Sequence, residues 1–207
     1  MSNHSVFIGE KMDLAKTDKR SAIIKAALEL IAEHGFHGSP TSMIADRANV
    51  GMGTIYRYFV DKDKLIIEVH REVETKLLEL LNLEYPNHRT IKERFVYFCS
   101  SLLRYMVDNP IEFKFLEQFY NSPFGVALRR DRIFTESTEN DGLCLPKILF
   151  EQGKAQQIIK DLPLVVLFAL VFGSIIAVAR DHILGFVNLD DNLIDKTVEA
   201  CWDAVKQ

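Results

Sequence analysis

Apolar residues recur along this chain at intervals of three and four, the spacing of amphipathic helices, and no segment alternates as a half-buried strand would. In DKRSAIIKAALELIAEHG, Ile23, Ala27 and Leu30 share one face, with Ile24, Leu28 and Ile31 beside them, and Gly35 supplies a C-terminal stop. After the turn FHGSP, Thr41 is the expected N-cap of a short second helix. Asn49, which tolerates the left-handed conformation, ends that helix and turns the chain. A third short helix is expected from about Met52 to Phe59. VDKDKL then starts a long helix with Leu65, Val69, Val73, Leu77 and Leu80 on one stripe, fading before Pro86.

A second block begins at TIKE, a capping box with Thr90 at the cap and Glu93 three residues later, opening a helix that runs to Asn109-Pro110. Further helices are expected over about 110–120, over 124–153 with an interruption at ENDGLCLP, and over 162–184 and 191–206. The fold class is therefore all-α. The break near 84–90 separates a short-helix module from an aromatic-rich one, because 11 of the 14 phenylalanines lie after residue 90. Residues 1–16 are expected to be a flexible tail, with Met12 a candidate start, followed by units at 17–62 and 63–207.

Composition changes this picture little. The 207 residues, 48% of them hydrophobic, suffice for a buried core. A net charge of −4 lends no support to nucleic-acid binding, so any such argument rests on local chemistry. Cys99, Cys144 and Cys201 form no C-x-x-C pair, and His34 and His37 sit in a Gly-flanked helix end; no disulfide framework, metal site or cofactor is expected. The N-terminus shows no secretory signal, which makes the cytoplasm the expected location. The stretch LPLVVLFALVFGSIIAVA, 162–179, carries no charge over eighteen residues, a borderline membrane span by length. Pro163, Gly173, Ser174 and the lack of a flanking positive cluster argue for burial in protein instead. A helix apolar on nearly all sides must be covered on both faces, one by its own core and one by a second subunit; Phe172 and Ile176 are placed at that contact.

Candidate chemistry concentrates in NVGMGTIYRYFVDKDKL, residues 49–65. Two short helices joined by a tight turn and packed on a first helix make a helix-turn-helix. On the third helix Ile55 and Phe59, four apart, face the core, which leaves Met52, Gly53, Thr54, Tyr56, Arg57 and Tyr58 for the remaining surface. Tyrosine hydroxyls and arginine suit phosphate oxygens, and Gly53 removes a side chain where backbone must approach base edges. Lys62 places an ammonium beside the next helix N-terminus. Singly, each feature has a blander reading: a Tyr-x-Tyr-Phe stretch is ordinarily packing, and DKDK a solvated face. GMGTIY is no dinucleotide loop, since Tyr56 stands where a third glycine is needed and no strand precedes it.

Together, residues 20–65 resemble the TetR family of transcriptional repressors. The resemblance is carried by Thr41, IA at 44–45, Ala48, Val50, GTIYRYF at 53–59, Lys62 and Leu65. It implies that 17–62 is a DNA-binding domain in which Thr41, Tyr56, Tyr58 and Lys62 hold phosphates while Met52, Gly53, Thr54 and Arg57 face the bases. Asn49 replaces the usual turn glycine, and Gly51 stands where Ser or Thr often caps the third helix. Met52 replaces a residue often basic or polar, which makes readout there apolar, as to a thymine methyl.

In the second half the resemblance covers general layout only, and makes 63–207 a ligand-binding and dimerisation domain. It places the last two helices in a four-helix dimer interface, with Leu193, Val198 and Trp202 at the seam; intrachain packing is the alternative for Trp202. It also makes the aromatic region a ligand chamber. Phe95, Phe98, Cys99, Leu102 and Tyr105 would line it with Phe115, Phe119 and Tyr120, closed by Phe168 and Phe172, although a solid core is the alternative for most of them. Gln118, Asn121 and His182 are further polar candidates, and Arg104 and Lys114 would admit an acidic head. The expectation is a ligand-responsive repressor, a homodimer on a near-palindromic double-stranded DNA operator, with a small apolar effector and no membrane association. The rival is a helical enzyme or small-molecule-binding protein using the aromatic pocket. No nucleophile elbow, paired carboxylates or metal cluster supports it.

Overall fold

Local stops and caps divide the chain much as the periodicity predicts. A computed structural model describes the backbone of residues 3–134 and 144–207 and the side chains of 18–134 and 145–207. Among these residues the elements are α1 (Asn3–Gly38), α2 (Thr41–Arg47), α3 (Met52–Tyr58), α4 (Lys62–Leu83), α5 (Ile91–Asp108), α6 (Pro110–Tyr120), α7 (Pro123–Phe134), α8 (Cys144–Ala155), α9 (Leu164–Ile183) and α10 (Asp191–Val205). An antiparallel bridge pairs Ile159 with Lys206. Gly35 breaks α1 with φ 75°, and Asn49 turns the chain with φ 52°, as their positions predict. Both halves of the Thr90–Glu93 capping box form.

Three expectations change. α1 begins at Asn3, so helical backbone runs through the segment expected to be a tail; no proline interrupts residues 3–34, and Gly9 is too weak a breaker to stop a helix. Thr41 is the first helical residue of α2 rather than its cap. Pro40 takes the cap position in an extended conformation, and no side chain caps the helix. The expected stretch 124–153 resolves into α7 and α8, with residues 139–143 of its interruption outside the described residues.

Two cores form, and they do not divide at residue 62. In the first, Ile23, Leu30 and Ile31 of α1 meet Ile44 of α2, Ile55 of α3, and Leu65, Ile66, Val69 and Val73 of α4. Phe115, Leu116 and Phe119 of α6 complete it. The second joins Leu81 of α4 to the inner faces of α5, α8, α9 and α10, with Phe113 of α6. α4, with 22 residues, is about 33 Å long; its N-terminal part supplies Leu65, Ile66, Val69 and Val73 to the first core and its end supplies Leu81 to the second. Each fully buried Ile, Leu or Phe is worth about 1.5–3 kcal/mol, which makes these shared helices a stiff connection.

Polar contacts reinforce the connection. Arg20 of α1 reaches Glu68 at 2.7 Å and Glu72 at 2.6 Å on α4, partly exposed pairs worth at most about 1 kcal/mol each. Arg132 of α7 forks onto Glu74 of α4, one branch at 2.7 Å, beside Tyr120 of α6. α9 is, among the described residues, the one helix long and apolar enough to cross a membrane. Here Leu167, Phe168, Val171 and Ile175 are buried in the second core.

Candidate nucleic-acid interface

The third helix is divided by burial. Ile55 and Phe59 are 1% and 3% exposed and anchor α3 to the first core. On the other side Met52 and Tyr56 stand 45% and 49% exposed, with Gly53 and Arg57 exposed beside them. Thr54 and Tyr58, a step further round, are half-buried. The Arg57 guanidinium lies 5.5 Å from the Tyr58 ring centroid, a cation–π contact that holds it along the helix. Thr41 is half-buried at the first turn of α2. Met43, 40% exposed on α2, is a second apolar side chain left outside this module's core; its place off the apolar stripe is the signal that would have found it.

Gly53 is informative because nothing in the protein requires it. A Cβ built there meets no atom within 4 Å, and its φ is not positive. A helical glycine costs about 0.5–1 kcal/mol relative to alanine, so the fold alone gives no reason for the residue. Lys62 carries more than the sequence indicates. Its Nζ donates to the Phe36 carbonyl, tying the start of α4 to the chain just beyond the Gly35 kink, and partial burial lowers its pKa. Asp61 caps the same helix by accepting from the Lys64 backbone N–H at 2.7 Å.

The aromatic residues expected to line one chamber fall into both cores. Phe95, Phe98, Cys99, Leu102 and Phe168 are buried in the second, with Phe172 packed on it. Phe115 and Phe119 belong to the first, with Tyr120 against it. Rings in the second core meet one another: Phe95–Trp202 and Phe168–Phe172 at 5.2 Å, Phe98–Phe172 at 6.0 Å, with Phe172 left half-buried at the edge. Burial pushes the Cys99 thiol well above its ordinary pKa. Tyr105 donates to Glu112, Gln118 to the Ile31 carbonyl, and Asn121 to the Glu117 carbonyl; His182 accepts from the Leu189 N–H at 3.1 Å. Two grooves lie along α4, one of about 390 Å³ lined by Arg20, Glu68, Glu72 and Lys76, and one of about 190 Å³ lined by Ile24, Leu28, Val69, Glu72 and Lys76.

Burial divides the residues expected at the dimer seam. Val198 and Trp202 are 0% and 5% exposed inside their own chain, because their face of α10 packs on α5 and α9. Leu193, Ile176 and Phe172 are half-buried against the same core. The bare apolar stripe on α9 is a different one: Val166 (41% exposed) and Leu170 (38%), running on through Gly173 and Ala177 toward Leu184.

This architecture has known counterparts. Residues 23–69 match the family model described as bacterial regulatory proteins, tetR family, and residues 90–206 match a Tetracyclin repressor-like C-terminal domain. An uncharacterized HTH-type transcriptional regulator of Haemophilus influenzae is 24% identical over 196 residues, spanning 95% of this chain and 100% of the relative. The solved structure of a putative TetR-family regulator from Vibrio parahaemolyticus superposes with a TM-score of 0.72 at 31% identity, covering 91% of this chain and 99% of that one. The regulator FadR from Bacillus subtilis, solved in complex with stearoyl-CoA, superposes with a TM-score of 0.69 at 22% identity over 88% and 95% of the two chains. Because the C-terminal match alone spans more than half of the sequence and the N-terminal match covers the helix-turn-helix, the chain belongs to the TetR family of DNA-binding transcriptional regulators.

Proposed function

We propose that this regulator is a ligand-responsive repressor that works in the cytoplasm and binds, as a homodimer, a near-palindromic operator in double-stranded DNA. The observation that carries the reading is the exposed face of α3, where Gly53 keeps the backbone bare without a structural reason. In the docked complex Met52, Gly53, Thr54 and Arg57 meet base edges in the major groove, and Thr41, Tyr56, Tyr58 and Lys62 meet phosphates. Two α3 helices related by a two-fold axis read half-sites about one helical turn, or a little more, apart. The α9 stripe is the contact between subunits.

The unit from 63 to 207 takes the effector, a small molecule with an apolar body; the stearoyl-CoA bound to the Bacillus subtilis neighbour supports that class. α4 joins the two cores, so a ligand that shifts its second half moves the helix-turn-helix. A tenfold rise in the DNA dissociation constant needs a preference of only about 1.4 kcal/mol for the non-binding arrangement.

Gly53→Ala tests the docking. Stability in urea is expected to rise by about 0.5–1 kcal/mol, because an exposed helical glycine is replaced without a clash. Operator affinity in a mobility-shift titration is expected to fall, because the new methyl holds DNA away. A variant that is stabilised yet binds like wild type would mean α3 does not approach DNA there. Arg57→Ala is expected to cost about 1–3 kcal/mol of operator affinity and to relax base preference. Lys62→Ala should weaken all sequences alike and lower the salt slope by about 1.

A further inference from the structure

Arg94 occupies a position that a core residue would ordinarily hold. It lies on α5 in register with Ile91, Phe95, Phe98 and Leu102, and it is only 8% exposed. Among the described residues no carboxylate forms an ion pair with it. Its partners are neutral: Nε donates to the Tyr85 hydroxyl at 3.3 Å and Nη1 donates to Gln152 Oε1 at 2.7 Å. The Tyr85 ring faces the guanidinium carbon at 5.5 Å. Burial raises the Tyr85 pKa, so its hydroxyl stays protonated and supplies no countercharge. Among the described residues Nη2 has no hydrogen-bond partner. Since Ser100 Oγ is the only side-chain polar atom among the described residues both sealed from solvent and unpartnered, Nη2 is not wholly sealed off.

An arginine cannot shed its proton, and a buried charge without a counter-ion costs several kcal/mol. Linking Tyr85 to Gln152 needs no charge. The unused edge of the guanidinium fork matches an anionic oxygen pair. The cations anticipated for an acidic head are placed otherwise: Arg104 is satisfied by Asp191 at 3.0 Å and Asp195 at 3.6 Å, and Lys114 is exposed on α6. One helical turn beyond Arg94 on α5 is Phe98, whose ring meets Phe172 at 6.0 Å, and Phe172 meets Phe168 at 5.2 Å. A cation at the edge of an aromatic cluster defines a class of ligand.

We propose that Arg94 binds the anionic head, carboxylate or phosphate, of an amphipathic effector whose apolar body lies along Phe98 and Phe172. This rests on the ligand-responsive reading and narrows it to acids. The test is calorimetry of the full-length chain with decanoate, decanoyl-CoA and decanol, in wild type, Arg94→Met and Arg94→Lys. Decanoate or decanoyl-CoA is expected to bind wild type at least tenfold more tightly than Arg94→Met, with Arg94→Lys between them and decanol indifferent to the substitution. Loss confined to decanoate assigns the site to a carboxylate, and loss confined to decanoyl-CoA assigns it to phosphate. Without ligand, Arg94→Met is expected to melt at or above the wild-type temperature, because an unpaired buried charge is gone. The proposal is overturned if neither anionic probe binds wild type, if Arg94→Met binds both like wild type, or if decanol binds wild type as tightly as both. Release of operator by a neutral ligand alone would leave the ligand response standing and remove Arg94 from it.

Discussion

A Leu170→Glu chain is expected to sediment as a monomer at micromolar concentration and to lose operator binding, whereas the wild type is expected to sediment as a dimer. Leu170 lies at the middle of the exposed α9 stripe, between Val166 and Gly173. In a two-fold contact the same patch meets itself, so one substitution places two carboxylates in one desolvated seam. Each buried unpaired ion costs several kcal/mol, enough to dissociate an interface of about 2,000 Å². The inner face of α9 is formed by other residues, Leu167, Phe168, Val171 and Ile175, so Leu170→Glu is expected to keep its helix content. Val198→Glu is expected to unfold the chain, since Val198 is 0% exposed within one protomer. A dimeric Leu170→Glu, or a monomeric wild type, would place the subunit contact elsewhere.

The second large effect is an acid-dependent loss of stability traceable to His70. This imidazole is 4% exposed and stacks on Phe119 with ring centroids 3.9 Å apart. Its Nε2 lies 3.3 Å from the Tyr120 hydroxyl. Burial lowers its pKa to about 4; Glu74 opposes the shift and Arg132 adds to it. In the unfolded chain the ring takes up a proton below about 6.5, whereas the folded protein resists protonation until about 4. Between those values the unfolded state binds more protons, so the contribution is fully present above pH 6.5 and fades as pH falls toward 4. Over that window the loss is about 3 kcal/mol. Carboxylates elsewhere add their own acid sensitivity, so the measurement is a difference. His70→Phe keeps a ring against Phe119 and cannot titrate; its urea stability is expected to drop by about 3 kcal/mol less than wild type between pH 7 and 4. Parallel losses in the two proteins would mean that the buried neutral imidazole is not the source.

His70 also marks where reading the chain reaches its limit. It falls between Ile66 and Val73 on an apolar stripe, which foretells burial, and Glu74 lies one turn further on the same helix; that Phe119, Tyr120 and Arg132 gather round it depends on two other elements, α6 and α7. Arg94 is the same case. Its place on the α5 stripe is visible in TIKERF, but that no counter-ion stands beside it among the described residues becomes visible only once α8 brings Gln152 rather than a carboxylate to its side. The residues expected to line one chamber divide between two cores because α6 turns Phe113 to one and Phe115 and Phe119 to the other.

What the sequence by itself determined were features whose causes lie within a few residues. The left-handed Asn49, the break at Gly35, the Thr90–Glu93 box and the inward pairing of Ile55 and Phe59 are of this kind. The exposed chemistry of α3 follows from the last of these, since fixing one face of a short helix fixes the other. Only the tertiary structure decided that Trp202 and Val198 serve their own protomer, that the bare stripe of α9 runs through Val166 and Leu170, and that Lys62 is held by the Phe36 carbonyl. Helical periodicity states that a face is apolar but not what covers it; that is settled by distant segments competing for the same surface.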